Sequence, residues 1–186
     1  LGNTGGLGTG DITLAAPGTM SLTALANGSF ANKLANDGAV NIASTSLALS
    51  SDITGTGAMN LLNESVVSLT GDSTAFAGDW NINAGAQATI TRARNLGEGS
   101  DVTLDGTLNI DRAGLAGDYT WKNQLTGAAT GLLDVVLGDA ADLFAFDSGM
   151  SAGAGAGYEG RLQPRNSTFR LEGPHTDALT KAVLAS

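Results

Sequence analysis

Asp134, Asp139, Asp142 and Asp147 place four carboxylates within one short span, and Ser148 directly follows the last of them. Paired acids can divide general acid and general base work at a glycosidic bond, or hold calcium along a surface groove. A serine nucleophile asks for more: a histidine to take its proton and a carboxylate to orient that histidine. The sequence holds one histidine, His175, between Pro174 and Thr176, where it reads as a solvated turn residue. The four acids lack the basic and aromatic company of a sugar groove, so they read as turn residues of a solvated acidic surface. No catalytic residue is expected.

Other chemistry is weaker still. Gly5-Gly6-Leu7-Gly8-Thr9-Gly10-Asp11 approaches a calcium-binding nonapeptide, but its aspartate falls one place late and the phrase does not recur, so no metal site is expected. No glycine run ends in Gly-Lys-Ser/Thr, and no Gly-x-Gly-x-x-Gly leads into a helix, so no phosphate or dinucleotide cofactor is expected. Arg92 and Arg94 are expected on one strand face, answered by Asp101 and Asp105 on the next rung, as solvent-side charge that discourages sideways sheet pairing. Asn27, Asn63 and Asn166 each open an Asn-x-Ser/Thr triplet, which is common by chance in a chain this rich in Asn and Ser.

The elements that must carry these residues are short strands. An apolar residue, a turn of Gly, Asn, Asp or Thr and an x-apolar-x-apolar run recur from Leu7, Leu34, Ile53, Phe76, Leu96 and Leu115. Successive starts lie 27, 19, 23, 20 and 19 residues apart, by subtraction of those positions. Alternation places one set of side chains on each face of a strand, so Val40, Ile42, Leu47, Leu61, Leu69, Ile82, Leu104 and Ile110 are expected to line a lumen. Strands this short cannot each own a core and must stack on copies of themselves. A β-sandwich would usually show turn signals more often, although a meander of hairpins imitates the spacing.

Leu69-TGDSTAFAGDWNINAGAQATI resembles the degenerate repeat of autotransporter (type V secretion) passenger domains, and Asn166-STFRLEGPHTDALTKAVL is similar to a second phrase of large adhesin-like passengers. The resemblance implies an all-β, right-handed parallel β-helix, expected here to have about eight or nine coils at roughly 4.8 Å each. Residues 1–118 read as regular coils, and residues 119–186 as aromatic-rich coils of the same solenoid that serve as a cap or folding nucleus. Some passengers carry serine proteases, but here Phe146 replaces the glycine that precedes Asp-Ser-Gly in such enzymes. Gly149 to Gly157 reads as a flexible excursion between rungs, and Ala182 to Leu184 as a strand in preference to a helical turn capped by Thr176.

Composition narrows the partners. Eighteen acidic against nine basic residues give a net charge of −9, which disfavours nucleic acid, since phosphate binding needs a dense basic surface. The chain has no cysteine, which suits passage through an oxidising compartment in an unfolded state. No apolar run is long enough to span a bilayer as a helix, and Leu1-Gly2-Asn3-Thr4 lacks the features of a signal peptide, so an internal excerpt is expected. The resemblance implies display at the bacterial surface, tethered through an outer-membrane barrel outside this chain. The expected partners are a host surface protein or glycan, or sister cells through self-association, with no small-molecule substrate. A polysaccharide-acting β-helix enzyme and a stalk or autochaperone segment without its own ligand are the alternatives.

Overall fold

The computed structural model describes residues 8–23, 28–146, 158–170 and 183–184. Its first turn holds β1 (Ile12–Leu14), β2 (Thr19–Thr23) and β3 (Gly28–Phe30), and its second β4 (Leu34–Asn36), β5 (Ala39–Ala43) and β6 (Leu47–Leu49). The third repeats the pattern as β7 (Ile53–Thr54), β8 (Ala58–Leu61) and β9 (Val66–Leu69). Next come β10 (Asp79–Ile82) with β11 (Gln87–Ile90), then a 3-10 helix (Ala93–Asn95) before β12 (Asp101–Leu104) and β13 (Thr107–Asp111). The sixth turn comprises β14 (Tyr119–Trp121), β15 (Gln124–Thr126) and β16 (Leu132–Val136). The chain closes with β17 (Leu143–Phe146), β18 (Arg161–Arg165), β19 (Thr168–Arg170) and β20 (Val183–Leu184).

Every strand pairs in parallel with its counterpart one turn away. The first face stacks β1, β4 and β7, the second runs from β2 through β5, β8, β10 and β12 to β15, and the third has eight strands from β3 to β20. In the last turns β14, β17 and β19 form a separate sheet at the place in the turn that β1, β4 and β7 hold earlier. The chain is a parallel β-solenoid of about seven turns, or a stack about 35 Å long at the usual strand spacing. A period near 20 predicts eight or nine coils. That period holds from Gly28↔Leu47 to Gln87↔Thr107, but the register then advances from Thr107 to Leu132 and from Leu132 to Arg161, so the same length of chain makes fewer turns.

All eight expected lumen residues are buried, from Val40 and Ile42 to Leu104 and Ile110. On the second face Val40, Met59, Trp80 and Val102 stack in one inward column, and Ile42, Leu61, Ile82 and Leu104 in the next. Because the side-chain period of a strand is two, a slip of one residue would turn both columns to solvent, which fixes the register. The corner before the second face is tight. Gly18, Gly38, Gly57 and Gly78 stack there, and a Cβ on any of the last three would collide with the carbonyl oxygen of the glycine one turn before.

Between β7 and β14 the first face has no strand of its own, only the bridge Gly55↔Phe76. Side chains replace the missing ladder. Trp80 Nε1 donates to the Leu96 carbonyl at 2.7 Å, and Asn95 donates to the Gly71 carbonyl at 2.8 Å while its Oδ1 accepts the Arg92 N–H at 2.9 Å. Asn123 donates to the carbonyls of Gly97 and Ser100 at 2.6 and 2.9 Å. These amides are buried and give partners to the Gly71 and Ser100 carbonyls and the Arg92 N–H away from water, while the Gly97 carbonyl also accepts the Ser100 hydroxyl at 2.8 Å.

Four aromatic residues of the C-terminal part, Tyr119, Phe144, Phe146 and Phe169, pack against one another. Tyr119 stacks on Phe144 at 6.0 Å and Phe144 on Phe169 at 5.9 Å, while Phe146 meets Phe144 edge-on at 5.3 Å. Burial pushes the Tyr119 phenol well above its ordinary pKa, and the guanidinium of Arg112, 5.4 Å from the ring centre, opposes that shift.

Candidate binding surface

The outward faces repeat as regularly as the lumen. On the second face Ser21, Asn41, Asn60, Asn81, Thr103 and Thr126 fall in one column, each paired in register with the next. Asn81 Nδ2 donates to Asn60 Oδ1, and Asn60 Nδ2 to Asn41 Oδ1, both at 2.8 Å. Thr103 and Thr126 continue the row through their hydroxyls, 3.2 Å apart. Beside this row Asp79 and Asp101 are also in register, and partial burial, followed by the charge of Asp79, raises the Asp101 pKa above the usual carboxylate value.

The third face presents Ser29, Ala48, Ser68, Thr89, Asn109, Asp134 and Gln163 in one outward column. Here Arg165, diagonally across from Asp134 on the next turn, clasps its carboxylate: Nε donates to Oδ1 at 2.9 Å and Nη2 to Oδ2. The Asp134 side chain is only 12% exposed although it points outward from the sheet. A recess of about 210 Å³ lies beside this pair, lined by Thr89, Asn109, Asp111, Asp134, Val136 and Arg165.

The acids singled out from sequence do not converge. Asp134 is held by Arg165, while Asp139 Oδ1 accepts the Ala141 N–H at 2.8 Å and Asp142 Oδ2 accepts the Asp139 N–H at 3.1 Å. The latter two therefore shape their own turn. Asp147, Ser148, His175 and Thr176, the excursion from Gly149 to Gly157, Gly5 to Leu7 and Asn27 lie outside the described residues. Asn166 donates its side-chain amide to the Leu137 carbonyl at 2.9 Å, so that nitrogen is engaged within the fold, whereas Asn63 is exposed. The strand expected near Ala182 is present as β20.

The arginine expectation is corrected. Arg94 belongs to the 3-10 helix, with Arg92 at its N-cap, and Arg94 pairs with Asp72 of the preceding turn at 3.4 Å. Asp105 instead accepts the Ala128 N–H at 2.7 Å, and Asp101 faces Asp79. The Asp72 carboxyl is held below its usual pKa by hydrogen bonds from the Thr74 hydroxyl and N–H, with a smaller contribution from Arg94. Lys122 and Glu98, 3.6 Å apart, likewise join successive turns. Exposed pairs of this kind contribute little stability, so the stack depends on its lumen.

Sequence reasoning missed Arg165 as the partner of Asp134, because the two stand 31 residues apart. It also missed the pairing of Asn41, Asn60 and Asn81, although the shared x-apolar-Asn-apolar phrase was a usable signal. Among the described residues no cluster of three or more His, Cys, Asp or Glu side chains is placed to hold a metal ion, and no helix is long and apolar enough to cross a membrane.

Fold and surface together define a parallel β-solenoid repeat protein with a hydrogen-bonded polar column on its second face. Among curated proteins, one described as the uncharacterized lipoprotein YdeK of Escherichia coli (strain K12) is 40% identical over 90 residues, which is 47% of this chain and 6% of that protein. The chain therefore matches only a small part of that relative's length. No family model matches the chain, and no solved structure matches it.

Proposed function

We propose that this chain is a segment of a bacterial cell-envelope solenoid that presents a long polar surface for adhesion or for association between cells. The observation that carries the reading is the outer row from Asn41 through Asn60 and Asn81 to Thr103 and Thr126, set in register on a lumen with no room to shift. Repetition of one weak polar contact along a rigid stack gives avidity without a deep pocket. The likeness to a protein described as a lipoprotein supports an envelope location, and the two repeat phrases support an autotransporter-type passenger displayed at the outer membrane. Beads coated with the purified chain test the reading. They should aggregate with one another or adhere to a cultured epithelial layer more than beads coated with an unrelated acidic protein. Equal behaviour of the two sets in both assays would sink it.

A second reading has its own support. The stack of Tyr119, Phe144 and the half-buried Phe169 concentrates large rings in the last turns, as a segment that folds first would require. On that reading residues 119–186 template the earlier turns, and the Phe144→Leu chain refolds more slowly.

A further inference from the structure

We infer that the recess on the third face beside Asp134 and Arg165 is a binding subsite for a neutral saccharide. The contrast between the two outer columns carries this. On the second face each of the amides of Asn41, Asn60 and Asn81 already spends a group on its neighbour. On the third face Thr89 and Asn109 are likewise in register, yet among the described residues neither side chain makes a hydrogen bond. A hydroxyl and an amide therefore face the recess with their donors and acceptors open to an outside partner.

The charges beside them select the class of ligand. Asp134 and Arg165 neutralise each other through two parallel hydrogen bonds, leaving further lone pairs on the carboxylate and further N–H groups on the guanidinium. Asp111, the other acid in the lining, spends one oxygen on the Ala113 N–H at 3.2 Å. The recess thus offers both donors and acceptors, and its two carboxylates against one guanidinium leave one negative charge, which suits uncharged vicinal hydroxyls and repels an anionic sugar. Val136, half-buried between Asp111 and Arg165 in register, supplies an apolar surface for the C–H face of a sugar ring.

The inference names a ligand class for the presentation surface proposed above and rests on that reading, but the two fail separately. Titrating the isotope-labelled chain with cellobiose, maltose and lactose, followed by amide NMR, tests the subsite. With at least one of the three, the Asn109 side-chain amide and the Arg165 Nε–H should shift saturably. Asn109→Ala and Thr89→Val should each weaken that binding by roughly tenfold, about one hydrogen bond, with Tm unchanged because neither group is used by the fold. No shift with any of the three sugars, or shifts that both variants retain in full, would overturn the assignment. Bead adhesion without sugar shifts overturns the subsite alone, whereas sugar shifts without bead adhesion support the subsite and sink the adhesion reading.

Discussion

Asn81 and Asn60 sit one turn apart in the solenoid and share a hydrogen bond of 2.8 Å from amide nitrogen to amide oxygen on the outside of the second face. Asn60 passes the same bond on to Asn41, so one residue serves two rungs at once. Asn60→Ala should therefore cost about 1 to 2 kcal/mol in urea unfolding, more than a lone half-exposed polar side chain would. In a double-mutant cycle with Asn81→Ala the two losses should fall short of additive, since either change breaks the shared bond. Full additivity would mean that the bond between Asn60 and Asn81 contributes no stability of its own.

The glycine corner makes a sharper forecast. A Cβ at Gly57 would run into the carbonyl of Gly38, which belongs to the backbone and has no rotamer to move away. Gly57→Ala should cost about 2 kcal/mol or more, whereas Gly114→Ala, with open space around it, should be close to neutral. Equal midpoints for the two variants in urea would refute the close packing of this corner.

Where the first face lacks a strand, buried amides satisfy the backbone. Asn95→Ala removes the donor to the Gly71 carbonyl and the acceptor for the Arg92 N–H, leaving both without a partner. The expected cost is about 3 kcal/mol. Hydrogen exchange should locate the loosening around residues 70–78 and 91–100 and leave the second face protected.

Asp101 gives a dependence on pH. Its carboxyl is raised by partial burial and by Asp79, so the folded chain holds that proton more firmly than the unfolded one. The group therefore opposes folding once it is ionised, and the penalty develops as pH rises from the unfolded pKa through the folded one. Asp101→Asn should raise Tm at pH 7, and the gain should shrink as the pH is lowered through the carboxylate range. A Tm gain that is the same at low and neutral pH would exclude ionisation as its cause.

The lumen was legible because apolar alternation is a local signal: Val40 and Ile42 in one strand, or Val102 and Leu104 in another, declare their face within four residues. The first face of the turn, between β7 and β14, was not. Its place is taken around Asn95 and Asn123 by side-chain amides that, in the sequence, look like any polar loop residue, and only the carbonyl across the turn gives them a role. Arg92 and Arg94 read as strand residues because Thr89 and Ile90 before them alternate, but the chain turns into a 3-10 helix directly afterwards. The recess was half legible. Asp134 stood out as an acid, while Thr89 and Asn109 passed as ordinary outward strand residues, and their meeting depends on register between turns.

The amides of Asn81 and Asn60 both point their nitrogens toward the start of the chain, like arrows laid head to tail. The row is therefore not the same read upward and downward. A molecule lying along it would meet an N–H leading in one sense and an oxygen leading in the other, so the face can distinguish a ligand from its reversed copy even though every step along it repeats.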